Sequence, residues 1–97
     1  MYGTMARLQP LPGKEAELIA IGEKMRAAPM AGFVASFMFR PDHNPYPAPT
    51  VFLVAVFRDK AAYDANADSP EQDTRYREMR ALLAADPDWM DGTYWGA

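Results

Sequence analysis

Few residues in this 97-residue chain are of types that carry out chemistry. The chain has no cysteine, which excludes disulfides, thiolate metal sites and a cysteine nucleophile. Its single histidine is His43, and histidine is the side chain that most readily changes charge near neutral pH. His43 lies in a proline-rich stretch, so it is either a solvent-facing residue or a base on a loop that closes over a ligand.

Aromatic side chains are the second group of candidates. They suit the stacking of a planar ring, although aromatic residues at strand or helix spacing are also common in cores and interfaces. Tyr63 and Tyr76 are of particular interest, because a buried phenol hydroxyl needs a hydrogen-bond partner. The candidate substrate-binding residues are Phe57, Tyr63, Tyr76, Trp89 and Trp95.

Two arginines fall in predicted strands rather than on helical surfaces. Arg7 and Arg40 could each pair with a phenolate or carboxylate of a ligand, or could instead lie at a rim or form a cross-chain pair with Asp91. The charged run 73–80 predicts a solvated helix face stabilised by charge pairs three and four residues apart, with Arg75 turned mostly outward.

Composition limits the class of protein. Hydrophobic residues make up 49% of the chain and charged residues 24%, which is typical of one globular domain covering residues 1–97. The net charge is −3 and the ten basic residues are scattered, so nucleic acid is not an expected partner. Apolar runs such as 51–57 are too short to span a bilayer, and no signal-peptide pattern precedes them. We therefore expect a soluble cytoplasmic domain.

The hydrophobic pattern predicts four strands and a set of helices between them. Ser69 and Pro70 predict a capped helix start, with Gln72 completing a capping box. The segment 41–50 carries four prolines and is expected to be a loop. The predicted strands are 2–8, 33–40, 51–57 and 91–95, and the predicted helices are 14–28, 59–67 and a longer one from 69 to 86.

This order, β-α-β-β-α-β, predicts a ferredoxin-like α+β fold: a four-stranded antiparallel sheet with its helices on one face. The second face of such a sheet normally alternates apolar with polar residues, yet the strand 51–57 is apolar throughout. The strand 33–40 is predicted to place Phe33, Ala35, Phe37 and Phe39 on one face and Val34, Ser36 and Met38 on the other. A second copy packed sheet to sheet would cover that face. The alternative is that 51–57 is the central, most buried strand of a monomer.

Several short motifs resemble the antibiotic biosynthesis monooxygenase (ABM) domain family, within the dimeric α+β barrel superfamily. These are Pro12-Gly13-Lys14-Glu15 before the first helix, Phe57-Arg58-Asp59-Lys60-Ala61-Ala62-Tyr63 after the third strand, Asn66, and Ser69-Pro70-Glu71. The resemblance covers essentially the whole chain. It implies a homodimer whose ligand pocket lies between the sheet and the helices of each chain.

Members of that family oxidise quinol precursors with O₂ and no cofactor, cleave haem, or have no known activity. The haem-degrading branch uses an asparagine in the first strand, a tryptophan and a histidine. This chain has Met5-Ala6-Arg7-Leu8 in the first strand, Phe57 at the tryptophan position and Asn66 at the histidine position. We therefore expect neither haem nor metal as a cofactor.

The resemblance implies a cofactor-independent monooxygenase acting on a small aromatic or quinol substrate. Asn66 would hold a substrate oxygen, although a helix-end residue bonding its own backbone is the alternative role. Arg7 or Arg40 would stabilise the substrate anion. The competing hypothesis is a non-catalytic dimeric barrel that binds a small ligand or has an accessory role.

Overall fold

The helices and strands follow the predicted β-α-β-β-α-β order, with the second helical segment divided in two. The structure is a computed structural model, and it describes residues 1–96. No helix within that range is both long and apolar enough to cross a bilayer. The elements are β1 (Tyr2–Leu8), α1 (Glu15–Ala27), β2 (Phe33–Phe39), β3 (Val51–Phe57), α2 (Lys60–Ala67), α3 (Pro70–Arg80) and β4 (Asp88–Thr93).

The four strands form one antiparallel sheet in the order β2-β3-β1-β4. This is the predicted ferredoxin-like sheet, and its helices pack on one face. Between sheet and helices the core is formed by Leu8, Leu18, Leu53, Met79 and Leu83, each less than 5% exposed. This core holds α1 and α3 against the sheet.

Two side-chain caps fix where the second pair of helices begins. Asp59 Oδ1 accepts a 2.9 Å hydrogen bond from Ala62 N, and Ser69 Oγ accepts a 3.1 Å bond from Gln72 N. The reciprocal half of the predicted capping box is absent, because Ser69 N donates to the carbonyl of Asn66. The side chain of Gln72 instead accepts hydrogen bonds from the side chains of Asn66 and Arg75.

The ends of the last two elements differ from the sequence prediction. The final helix ends at Arg80 rather than near residue 86, because the chain turns there and Leu83 forms a bridge with Pro10. The last strand begins at Asp88, opposite Arg7 of β1, and ends at Thr93. Trp95 therefore lies beyond the strand.

A register shift changes which faces the β2 side chains occupy. Phe33 pairs with Phe57, but Ala35 already pairs with Val56, so Val34 is an extra residue in the ladder. Phe33 consequently faces the helices, whereas Phe37 lies on the opposite face. The predicted alignment of all three phenylalanines on one face is therefore wrong at Phe33.

The sheet face away from the helices carries an apolar row across all four strands. Phe37, Val54, Met5 and Met90 are successive neighbours in the strand pairing. We call this row, together with Phe39, the open face. Phe37 and Phe39 are each 57% exposed and Met90 is 64% exposed, so the helix-free face is apolar as predicted.

Candidate functional site

A cavity of about 450 Å³ lies between the helix-covered face of the sheet and the three helices. Cavities of this size, mostly apolar with a few converging polar groups, are typical of small-molecule sites. The sheet forms its floor, and α2 and α3 supply most of its polar side chains. We call it the central cavity.

The central cavity exists because one row of the sheet carries mostly small side chains. In the strand pairing, Ser36, Ala55, Thr4 and Asp91 are successive neighbours across the four strands, and all four line the cavity. The flanking rows carry larger side chains, including Leu53 on one side and Phe57 on the other. Small residues between large ones leave space that the helices do not fill.

Aromatic rings enclose this space from two directions. Phe57 packs edge to face against both Phe33 and Tyr63, with ring centroids 5.7 and 5.8 Å apart. Tyr76 of α3 packs against Trp89 of β4 with centroids 6.3 Å apart. All five rings line the cavity, so a flat ligand would meet aromatic surface on both sides.

Tyr63 and Asp91 form the hydrogen-bonded pair of the cavity floor. The Tyr63 hydroxyl donates a 2.8 Å hydrogen bond to Asp91 Oδ1. Burial, followed by this hydrogen bond to the carboxylate, raises the pKa of Tyr63 to about 12. Tyr63 is therefore a neutral donor at physiological pH, and it orients Asp91 rather than acting as a base.

Asn66, Gln72 and Arg75 form a connected polar group on the helical side. Gln72 Oε1 accepts one hydrogen bond from Asn66 Nδ2 and one from Arg75 Nη1, each with a donor–acceptor distance of 3.2 Å. A guanidinium can only donate, so it fixes which end of the Gln72 amide faces it. Asn66 must in turn donate to the same oxygen, which leaves Asn66 Oδ1 and the second Nδ2 hydrogen for other partners.

Arg75 is a charged residue of the cavity lining that the sequence analysis did not place there. It was predicted to face outward, but it is partly buried and lines the central cavity. The helical spacing contained the signal. Gln72, Arg75, Tyr76 and Met79 stand at i, i+3, i+4 and i+7 of α3, which is one face of a helix. An arginine on the face that also carries Met79 points inward.

Five of the predicted site residues come together in the cavity. Asn66 belongs to the polar group with Gln72 and Arg75. The other four residues are aromatic and were among the five predicted substrate-binding residues. The residues concerned are Asn66, Phe57, Tyr63, Tyr76 and Trp89.

The other three predicted site residues, and His43, lie outside the cavity. Arg7 lies on the opposite face of the sheet, where its Nε and Nη2 both bond to Asp88 Oδ2 at 3.0 and 2.6 Å. Arg40 pairs with Glu15 at 2.6 Å, and Trp95 is 85% exposed. His43 is exposed in the 41–50 loop. The two arginines suggested for the substrate anion are thus separated from the cavity.

The proline-rich loop folds onto the far side of the sheet rather than over the cavity. Tyr46 packs on Phe52, and the Arg7 guanidinium lies 4.6 Å from the centre of the Tyr46 ring. Asn44 stabilises the loop through its side chain, which accepts from Tyr46 N and donates to the carbonyl of Ala48. This loop borders the open face.

Residues 1–96 contain no group of three or more His, Cys, Asp or Glu side chains placed to hold a metal ion. The cavity offers aromatic surface, one amide pair, one guanidinium, the hydroxyls of Thr4 and Ser36, and the carboxylates of Asp73 and Asp91.

Comparison with known proteins identifies the fold. No family model matches the chain, and no curated protein matches it. Among solved structures, SnoaB, a cofactor-independent oxygenase from Streptomyces nogalater, aligns with a TM-score of 0.78 at 18% identity, over 99% of this chain and 94% of that one. An antibiotic biosynthesis monooxygenase aligns with a TM-score of 0.69 at 16% identity, over 99% and 100% of the two chains.

A conserved protein from Methanosarcina mazei Go1 is also similar, with a TM-score of 0.77 at 13% identity over 94% of this chain and 89% of that one. These similarities confirm the resemblance inferred from the sequence at the level of the fold. The chain has the ferredoxin-like α+β fold of the antibiotic biosynthesis monooxygenase structures.

Proposed function

We propose that this protein is a cofactor-independent monooxygenase of the ABM type that oxidises a small aromatic quinol. The observation that carries the proposal is the central cavity, an aromatic-walled space of about 450 Å³ with Asn66 at its helical side. The structural similarity to SnoaB, a cofactor-independent oxygenase, supports it. Fold alone does not determine chemistry, so the residues of the cavity must account for the reaction.

In this reaction the substrate supplies all the electrons. Its phenolate anion passes an electron to O₂, and the two radicals combine at the ring carbon. One oxygen atom then becomes a carbonyl in place of the ring C–H, and the other leaves as water. The protein has to bind the ring away from water, favour the anion and hold its geometry.

Each of these tasks has a candidate in the cavity. The rings of Phe57 and Tyr76 bound the space for the flat substrate, and Tyr63 frames it from α2. Asn66 donates its second Nδ2 hydrogen, which Gln72 leaves free, to the substrate oxygen; this bond holds the oxygen and favours its anion. Asp91 Oδ2, the oxygen that Tyr63 does not use, accepts a hydrogen bond from a substrate hydroxyl.

We further propose that the protein is a homodimer through the open face. An exposed apolar row across four strands is costly in water, and a second copy would cover it with an identical row. Phe37, Val54 and Met90 supply side chains from three different strands to this surface. The open face and the central cavity lie on opposite sides of the sheet, so dimerisation leaves the cavity accessible.

Oxygen consumption with a panel of quinols tests the proposed activity. Purified, chelator-treated protein should consume O₂ in proportion to enzyme concentration with at least one two- or three-ring quinol, above the rate with heat-denatured protein. No uptake above that background with any quinol would contradict the proposal and favour the ligand-binding alternative.

A further inference from the structure

Most of the basic residues of this protein are paired with carboxylates, and the basic residue that lines the central cavity without such a pair is Arg75. Eight of the ten Lys and Arg residues form salt bridges with carboxylates of the described residues. The two that form none within residues 1–96 are Arg26 and Arg75. Arg26 is exposed on α1, where water can solvate its charge, whereas Arg75 is partly buried and lines the central cavity.

The hydrogen bonds of Arg75 leave one edge of its guanidinium available. Nη1 donates to Gln72 Oε1 at 3.2 Å and to Met30 Sδ at 3.5 Å. Nε and Nη2 have no hydrogen-bond acceptor among the described residues. These two nitrogens form the edge that binds a carboxylate with two parallel bonds, and neither present partner of Nη1 carries a charge.

The same edge binds a carboxylate elsewhere in this chain. Arg7 donates from Nε and Nη2 to one carboxylate oxygen, Asp88 Oδ2, at 3.0 and 2.6 Å. Arg75 differs in that no carboxylate of residues 1–96 lies within salt-bridge distance of it, although Asp73 and Asp91 line the same cavity. A partly buried charge without a paired counter-charge is unfavourable. An anionic ligand in the central cavity would supply the missing partner.

We propose that Arg75 binds the carboxylate of an aromatic acid whose ring occupies the central cavity. The charge of the surroundings limits the ligand to one negative charge. The cavity is lined by one arginine and two aspartates, of which Asp73 pairs with Arg77 and Asp91 binds Tyr63. A dianion such as a phosphate monoester would face these carboxylates with a single cation.

The floor of the cavity adds a second feature to this ligand. Asp91 Oδ2 accepts hydrogen bonds, so a ring hydroxyl is favoured there, while α3 holds the carboxylate through Arg75. The ligand class is therefore a hydroxyaryl carboxylate. This inference rests on the same cavity as the proposed function but not on its oxygen chemistry, so binding and oxygen uptake can fail independently.

Calorimetric titration with a matched pair of probes tests the inference. The probes are 6-hydroxy-2-naphthoate and its neutral amide, 6-hydroxy-2-naphthamide, which differ mainly in charge. The wild-type protein should bind the naphthoate about 10- to 100-fold more tightly than the naphthamide, the range for a charge-assisted hydrogen-bonded pair. Arg75→Met should bring the two dissociation constants within about threefold of each other.

Arg26→Met is the matched control, because it removes the other arginine without a carboxylate partner and changes the net charge equally. It should leave the wild-type preference intact. Arg75→Lys keeps the positive charge but cannot form two parallel hydrogen bonds to a carboxylate, so it should retain only part of the preference for the naphthoate. This variant tests the proposal if Arg75→Met does not fold. Equal affinities for the two probes in the wild type, no binding of either, or an unchanged preference in both Arg75 variants would overturn the proposal.

Discussion

The hydroxyl of Tyr63 donates a 2.8 Å hydrogen bond to Asp91, which joins α2 to the last strand on the floor of the central cavity. The two residues are 28 positions apart in the sequence. Their contact depends on Asp91 pairing with Thr4 in the sheet and on Asp59 starting α2 where it does. The bond fixes one oxygen of the carboxylate and leaves the other for a ligand.

This hydrogen bond predicts a tyrosine hydroxyl that ionises at an unusually high pH. The pKa of Tyr63 is raised from 10.0 to about 12 by burial and by the hydrogen bond to Asp91. An alkaline titration followed by absorbance at 295 nm should contain one phenol with a pKa near 12 that disappears in Tyr63→Phe. Tyr46→Phe, which removes an exposed phenol, should leave the late step in place.

The same shift has a consequence for stability. Below pH 10 the phenol is protonated in the folded and unfolded states alike. Between pH 10 and about 12 the unfolded state ionises first, so the free energy of unfolding falls as the pH rises. Urea denaturation at pH 9 and pH 11 should show a smaller loss in Tyr63→Phe than in wild type. An equal loss in both proteins would contradict the shift.

Asn66 should be required for turnover but not for folding. Asn66→Ala removes the amide that holds the substrate oxygen, and kcat on a quinol should fall by about 10²-fold, as for the loss of one oxyanion-type donor. The free energy of unfolding should change by less than about 1 kcal/mol. His43→Ala, in the exposed loop, should alter the rate by less than about threefold. Equal rates for Asn66→Ala and wild type would remove the residue from the mechanism.

A larger side chain in the cavity should lower quinol turnover without lowering the stability of the fold. Ala55 is one of the small side chains of the cavity floor, and Ala55→Leu places an isobutyl group in the space above the sheet. The free energy of unfolding should stay within about 1 kcal/mol of wild type or rise, because apolar surface is buried without overpacking. Quinol turnover should fall by about tenfold or more.

Ala61→Leu is the control for this substitution, since Ala61 is exposed on α2 and adds the same group outside the cavity. Its turnover should match that of the wild type. Comparable activity in Ala55→Leu and Ala61→Leu would mean that the substrate does not use the space above Ala55.

The open face should control oligomeric state. Sedimentation velocity at micromolar concentration should give a dimer for the wild type and a monomer for Phe37→Asp, because the charge would be buried opposite an identical apolar row. Ile19→Asp, on the exposed surface of α1, should remain dimeric. A wild-type species with the mass of a single chain would contradict the dimer.

Local signals in the sequence predict the fold well. Ser69 and Pro70 determine the start of α3 through contacts within four residues, and the strands Tyr2–Leu8 and Val51–Phe57 have the bounds that their composition predicts. The predicted end of α3 near residue 86 was wrong, because the true end depends on a long-range contact. Leu83 leaves the helix to pair with Pro10, which no local pattern indicates.

The candidate site was less predictable for a similar reason. Aromatic positions such as Phe57 and Tyr76 follow from strand and helix periodicity. The extra residue between Phe33 and Ala35 is a property of the ladder between β2 and β3, so it could not be read from one strand alone. Arg75 could have been placed from its spacing to Met79, but its charged neighbours in the run 73–80 favoured a solvated face.

The proposed activity requires that the protein itself, without metal or cofactor, inserts oxygen from O₂ into a quinol bound in the central cavity. Mass spectrometry of the product formed under ¹⁸O₂ in chelated, cofactor-free solution tests this most directly. We expect one ¹⁸O atom per product molecule, formed at a rate that Asn66→Ala lowers by about 10²-fold. Product without ¹⁸O, or labelled product formed equally fast with heat-denatured protein, would contradict it.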